Sequence, residues 1–431
     1  MFGFLKMLSA RTALLALALI CVGSFSLMLY AAHTDSAIDD ELAHIPAGYG
    51  YVHNLDYRLN PEHPPLVKAL AMLPVLILNP NFPTDNSAWQ NEINAQWTMG
   101  SLFLYQSGNN ANAIVDTARI FPILITLLAI LLVYFFARRI IGPWWALLPA
   151  FMFAFDPTVL AHGHYVTTDV GAAFGVLLSL FFFTKYIKSP TTKNLWLAGL
   201  SFGVAMIAKF STPLLVPLYI FLILVLWIRD MVVQWPGTAA RFNKFFMTLV
   251  RYAWRLILVG VIGYVFIVYP VYFLFTANYP ISKQVSDTTQ TLASFANGPT
   301  PAGQLCHGMR CLADLDIKMS GSPVLRPYAE YLLGLLMVIQ RSDAGNTIYF
   351  LGAVRGSGGP GYFPALYLLK EPIPTLIIVF LALILALWWM IKKAIASRFR
   401  IKQFVIKYID NSFAEFSMAS FIVLYWGYSM H

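Results

Sequence analysis

The chain has 431 residues, is 58% hydrophobic and 11% charged, and has a mean hydropathy of +0.66, an apolar share that excludes an ordinary soluble domain and places the protein in lipid. Its net charge of +9 is no sign of nucleic-acid binding, because in a membrane chain Lys and Arg are distributed by sidedness. Three cysteines are too few for a disulfide scaffold.

Apolar windows of about 20 residues predict membrane spans near 12–32, 119–137, 143–160, 168–186, 194–208, 212–228, 255–275 and 365–391, with a last one starting near Phe413. The expected fold is therefore an all-α integral membrane protein with about nine transmembrane helices. The first span follows Lys6 and Arg11 and lacks a clean small-residue cleavage site, so it reads as a retained anchor with a cytoplasmic N-terminus. In that orientation the cytoplasmic segments hold 18 of the 29 Lys and Arg, but only Asp230, Asp410 and Glu415 of the 20 acids. This is the positive-inside pattern, and in a bacterial-type cell it corresponds to the plasma (inner) membrane.

Two outer segments are long, 33–116 and 276–364. The first carries HPPLVKALAMLPVLILNP and the second YAEYLLGLLMVIQ, apolar runs expected to lie along the interface as helices. A glycine-rich turn, RGSGGPG, follows the second. Cys21 falls inside the first span as a packing residue. Cys306 and Cys311 fall in the second outer segment, where an oxidising compartment permits a local disulfide and two free thiols are equally compatible. No internal repeat or separate soluble domain is visible, and the final apolar run stops at His431 without an outer flank. The expectation is one multi-span domain, 1–431, truncated at its C-terminus.

Carboxylates beside a bilayer are costly unless they are solvated, paired or metal-bound, which makes them functional candidates. Asp39, Asp40 and Glu41 sit at the outer end of the first span, with His44 on the same helical face as Asp40 and Glu41. Dipole complementation at a helix start is the competing account of this triplet. In NPEHPPL, Pro64 and Pro65 stiffen the chain and would hold Glu62 and His63 at the membrane surface. In FDPTVLAHGHYVTTDVG, Asp156, His162, His164 and Asp169 arrive on the same side. Glu62, His162 and His164 are of the types that hold a divalent cation, with Mg or Mn favoured over Zn. Lys209, Arg355 and Lys370 are outer-face cations that break the charge rule; a phosphate headgroup, or pairing with the surplus acids, would account for them.

Taken together, the Asp-Glu pair with its following His, R-L-N-P-E-H-P-P-L, A-H-G-x-x-x-T-T-D-V and G-x-x-Y-F-P-x-x-x-x-x-K-x-P resemble the dolichyl-phosphate-mannose protein mannosyltransferase-like family. This is glycosyltransferase family 39, of GT-C fold, with the aminoarabinose transferases among its relatives. The resemblance runs from about Ala13 to Leu376. It implies an enzyme that moves a sugar, with inversion, from a polyprenyl-phosphate donor to a hydroxyl of a glycan, lipid or protein on the outer face. It also implies Asp40 as catalytic base with Glu41 beside it, Asp169 as the second acid, and Glu62 in metal or donor binding. His63, Lys209, Arg355 and Lys370 are then expected at the donor phosphate, although relatives carry Lys where His63 stands. The alternative, a transporter or flippase for a lipid-linked sugar, would place polar or broken helices near the bilayer midplane; here the polar residues gather at one face.

Overall fold

The computed structural model describes residues 10–233, 241–301, 303–345, 347–396 and 401–430; Lys6 and His431, used above, lie outside them. The described chain is helical apart from a two-stranded antiparallel hairpin, Ile348–Phe350 with Ala353–Arg355, as a chain in lipid must be to satisfy its own backbone. Six of the described helices are long and apolar enough to cross a bilayer: Arg11–Thr34, Ala111–Ile141, Asp169–Lys188, Thr212–Val233, Phe245–Phe275 and Ile373–Lys393. The protein is therefore a multi-pass membrane protein.

Nine such helices were expected, and each shortfall has a physical reason. The run at 143–160 is divided into Leu147–Ala154 and Pro157–His162. Pro157 has no N–H to continue the ladder, and the Asp156 carboxylate caps the second piece, accepting from the Thr158 and Val159 amides at 2.9 and 3.0 Å. The run at 194–208 forms Thr192–Met206, 15 residues, about 22 Å of helix against a hydrocarbon core of about 30 Å. The final helix, Phe413–Met430, carries Glu415 and serines that dilute its apolar content.

The outer segments are welded to the bundle by aromatic packing. Tyr49, Tyr51, Tyr57 and Phe103 share one buried core with Phe183, Tyr219 and Tyr272 of the membrane helices. Tyr51 stacks on Tyr57 at 4.2 Å and Phe183 on Tyr219 at 3.7 Å between ring centroids. The expected first interfacial helix is present as Leu66–Met72 followed by the 3-10 turn Pro74–Leu78, and Ile77 is 86% exposed at its end. The second apolar run forms Arg326–Ala344. Gly334 lets that helix touch the Pro61 carbonyl, where any Cβ would collide, and Gly48 admits the Lys68 carbonyl in the same way. Cys306 and Cys311 form a disulfide.

Candidate active site

The acidic triplet opens the helix Asp39–Tyr49, and rotation about the helix axis sends its members in different directions. Asp39 and Asp40 are exposed, whereas Glu41 is fully buried. Both Glu41 oxygens are taken: Arg119 donates to them at 3.0 and 2.7 Å, and the amides of Val166 and Ile38 add bonds at 3.0 and 3.1 Å. Arg119 is itself fully buried and spends its remaining donors on the carbonyls of Ala32, Asp35 and Ser36. This removes Glu41 from the acid–base chemistry expected of it; the pair ties the outer end of the first span to the start of the second.

Asp39 and Asp40 remain without a described hydrogen bond, and of the two Asp40 is the one set among the other candidates. Partial loss of hydration, then the neighbouring carboxylates of Asp169 and Asp39, push its pKa above the ordinary value, with Lys209 and His162 opposing. Those interactions bring together five of the residues singled out in the sequence, contributed by three helices and the loop that carries Lys209. Asp169 begins the helix Asp169–Lys188, and Lys209 donates to its Oδ1 at 2.5 Å. Both are part-exposed, 48% and 31%. They head a cavity of about 290 Å³ whose other walls include Val176, Leu177, Leu214, Phe421 and Tyr425. The cavity is thus charged at its mouth and apolar along its depth.

The Asn60–Pro65 turn is held from below. The fully buried ammonium of Lys68 donates to the Asn60 carbonyl and side-chain oxygen at 2.9 and 2.6 Å, to the His63 carbonyl at 2.5 Å and to the Tyr51 hydroxyl at 2.9 Å. Glu62, expected at a metal or donor, instead accepts from the side-chain amides of Asn94 and Gln96 at 3.1 and 2.6 Å. The His63 ring has no side-chain hydrogen bond among the described residues and lies edge-on to His44, 5.0 Å between centroids. His44 uses Nδ1 on the Val166 carbonyl at 2.6 Å. Burial, then neighbouring cationic groups, push the pKa of His44 down to about 3 and of His63 to about 2, so both rings are neutral at physiological pH.

Other expected residues are elsewhere. His164 is turned away from the cavity, with Nδ1 on the Leu160 carbonyl at 2.8 Å and Nε2 at 3.3 Å from Asp35. Its neighbour two positions back, His162, is exposed on the Asp40 side. The structure therefore separates Glu62, His162 and His164, and among the described residues no three His, Cys, Asp or Glu side chains converge on a metal position. Arg355 ends the hairpin with its guanidinium 6.0 Å from the Phe350 ring. Lys370 is exposed in the last turn of Tyr362–Lys370. Neither makes a described bond to the acids of the site.

Sequence reasoning missed Arg119, Lys68, Asn94 and Gln96. Two of these carried a signal: Arg119 and Lys68 are cations on the acidic side of the membrane, the criterion that singled out Lys209. The two amides carried none.

Residues 97–254 match the family model for dolichyl-phosphate-mannose-protein mannosyltransferase. The match includes Asp156, His162, Asp169 and Lys209 and stops short of Asp40 and Glu62. It agrees with the resemblance read from the motifs over that part of the chain. Among solved structures, the Saccharomyces cerevisiae protein O-mannosyltransferase Pmt1-Pmt2 complex bound to the sugar donor is similar at 18% identity and a TM-score of 0.43, over 62% of this chain and 33% of that one. The likeness thus spans about a third of that relative's length. A comparison with curated proteins found no match.

Proposed function

We propose, from the family match over 97–254 and the geometry at Asp40, that the protein is an inverting GT-C glycosyltransferase. It takes a sugar from a polyprenyl-phosphate donor and passes it to a hydroxyl on the outer face of the membrane. The observation that carries this reading is the Asp169–Lys209 pair heading an apolar cavity, with Asp40 near enough to feel both charges. A lipid phosphate has the same two-part chemistry, an anionic head and an apolar chain.

In this mechanism the acceptor oxygen attacks the anomeric carbon while its proton passes to the Asp40 carboxylate, and the bond from that carbon to the phosphate oxygen breaks. The leaving lipid phosphate carries away the electron pair and is stabilised by the Lys209 ammonium. Asp169 holds Lys209 in place and orients it. A single displacement inverts the anomeric centre, through an oxocarbenium-like transition state. A divalent cation at the phosphate would add Lewis-acid stabilisation, with Asp169 and His162 the acid and imidazole nearest to supply ligands. The test is release of polyprenyl phosphate from a panel of lipid-linked sugars by the reconstituted protein. Asp40→Asn should abolish turnover while leaving the protein folded; near-wild-type turnover would remove Asp40 from the mechanism.

A further inference from the structure

We infer that Lys68 and Glu62 form one shielded charge pair, relayed by Asn60 and Gln96, and that Lys68 is the positioning residue that presents His63 to the donor. This rests on the reading of the site given above and assigns Glu62 a different place from a metal or donor ligand.

Donor counting comes first. An ammonium has three hydrogens and no acceptor, and the Lys68 nitrogen is surrounded only by oxygens: two carbonyls, the Asn60 side-chain oxygen and the Tyr51 hydroxyl. The Tyr51 hydroxyl donates its own hydrogen to the Leu59 carbonyl at 2.5 Å, so it too faces Lys68 as an acceptor. A neutral amine has two hydrogens and would turn its lone pair against an oxygen. Although burial pushes the Lys68 pKa well below its ordinary value, four oxygens around one nitrogen suit the charged form, with one of its three hydrogens shared between two acceptors.

A buried ammonium needs a counter-charge. With its side-chain oxygen committed to Lys68, Asn60 donates its Nδ2 hydrogens to the Gln96 Oε1; Gln96 then donates Nε2 to Glu62. A second strand of the relay runs from the Asn60 amide to Asn94 Oδ1 at 2.7 Å, and from Asn94 Nδ2 to Glu62. Every amide dipole in the relay points the same way, oxygen toward the cation and hydrogens toward the carboxylate. That orientation fixes both amide rotamers and ties Glu62 to Lys68 without direct contact. Glu330 is the other acid that Lys68 feels.

The relay leaves His63 as the motif's free group. Its carbonyl is clamped by Lys68 and, at 3.2 Å, by the Tyr57 hydroxyl, while its ring carries no bond and faces His44. The charged groups acting on that ring are Lys68 below it, and Lys209 and Arg341 from the two other packed elements. An uncharged imidazole so placed can hydrogen-bond a sugar hydroxyl or phosphate oxygen, and its aim depends on Lys68.

The test combines a double-mutant cycle with donor kinetics on the full chain in detergent or vesicles. Lys68→Met and Glu62→Gln should each lower the apparent Tm, and the double variant should lose clearly less than the sum. In kinetics, Lys68→Met should raise KM for the lipid-linked donor about tenfold, with active sites counted by tight-binding titration. A merely structural role would reduce the folded fraction, lowering Vmax and leaving KM unchanged. Additive Tm losses, or a wild-type KM in Lys68→Met, would overturn the inference. Failure of the wild type to transfer any sugar would overturn the functional reading instead, and the Tm cycle would still decide the charge pair.

Discussion

Asp40 and Glu41 are adjacent residues of nearly the same chemistry, and the fold gives them opposite tasks. One helical step turns the side chain by about 100°, enough to carry Glu41 into a buried cage with Arg119 while Asp40 stays exposed. Two outcomes follow. Breaking a buried pair by removing one charge costs about 3–5 kcal/mol, so Glu41→Gln should fail to give monodisperse protein or lower its apparent Tm sharply, an effect read by size-exclusion and thermal scanning. In the proposed mechanism Asp40 is the base and must be ionised to act, and its pKa is raised. Activity should therefore be full above that pKa and fall as pH drops through it, with an acid limb above the ordinary Asp value near 3.9. A limb at or below that value would point to another base.

Sequence placed Asp40, Asp169, His162 and Lys209 correctly on one side because a charge among apolar residues is conspicuous. It did not separate Asp40 from Glu41, because the triplet contains no sign of which face the core will cover. Nor did it find the Lys68 cage, half of whose partners are backbone oxygens, which residues of any type carry. The partners of Glu62 were hidden for a related reason: Asn94 and Gln96 lie more than thirty positions away in an unremarkable polar stretch.

At the scale of elements, the site depends on how closely helices approach the Asn60–Pro65 turn. The Arg326–Ala344 helix meets it closely at Gly334. By intrinsic propensity Gly→Ala should stabilise a helix by about 1 kcal/mol, but here the added methyl would strike the Pro61 carbonyl and the Phe210 ring. Gly334→Ala should therefore lower both the apparent Tm and donor turnover; a higher Tm with unchanged turnover would show that the turn can yield. Element counting from hydropathy also met its limit here. A window of apolar residues cannot distinguish one 18-residue span from two short helices hinged at an Asp-Pro step, because both have the same composition. The hinge also matters to the site, since the second half-helix ends at His162.

At the scale of the molecule, the proposed function and the charge asymmetry together predict that the face carrying Asp40, Asp169 and Lys209 lies outside the cell. An Asn91→Cys variant, exposed in the first outer segment, should react with an impermeant thiol reagent added to intact cells. Labelling confined to inside-out vesicles would reverse the whole topology and, with it, the side from which donor and acceptor arrive.

With the 276–364 segment on the outer face, as proposed, the Cys306–Cys311 bond makes each molecule a record of its own insertion. A loop with a sequence separation of 5 constrains little of the unfolded chain, so the bond's larger effect is informational. A copy threaded the wrong way would leave this segment in the reducing cytoplasm, heavier by two hydrogens and open to alkylation at two sites. Intact mass of the purified protein therefore reports the fraction of correctly oriented copies, with no label introduced.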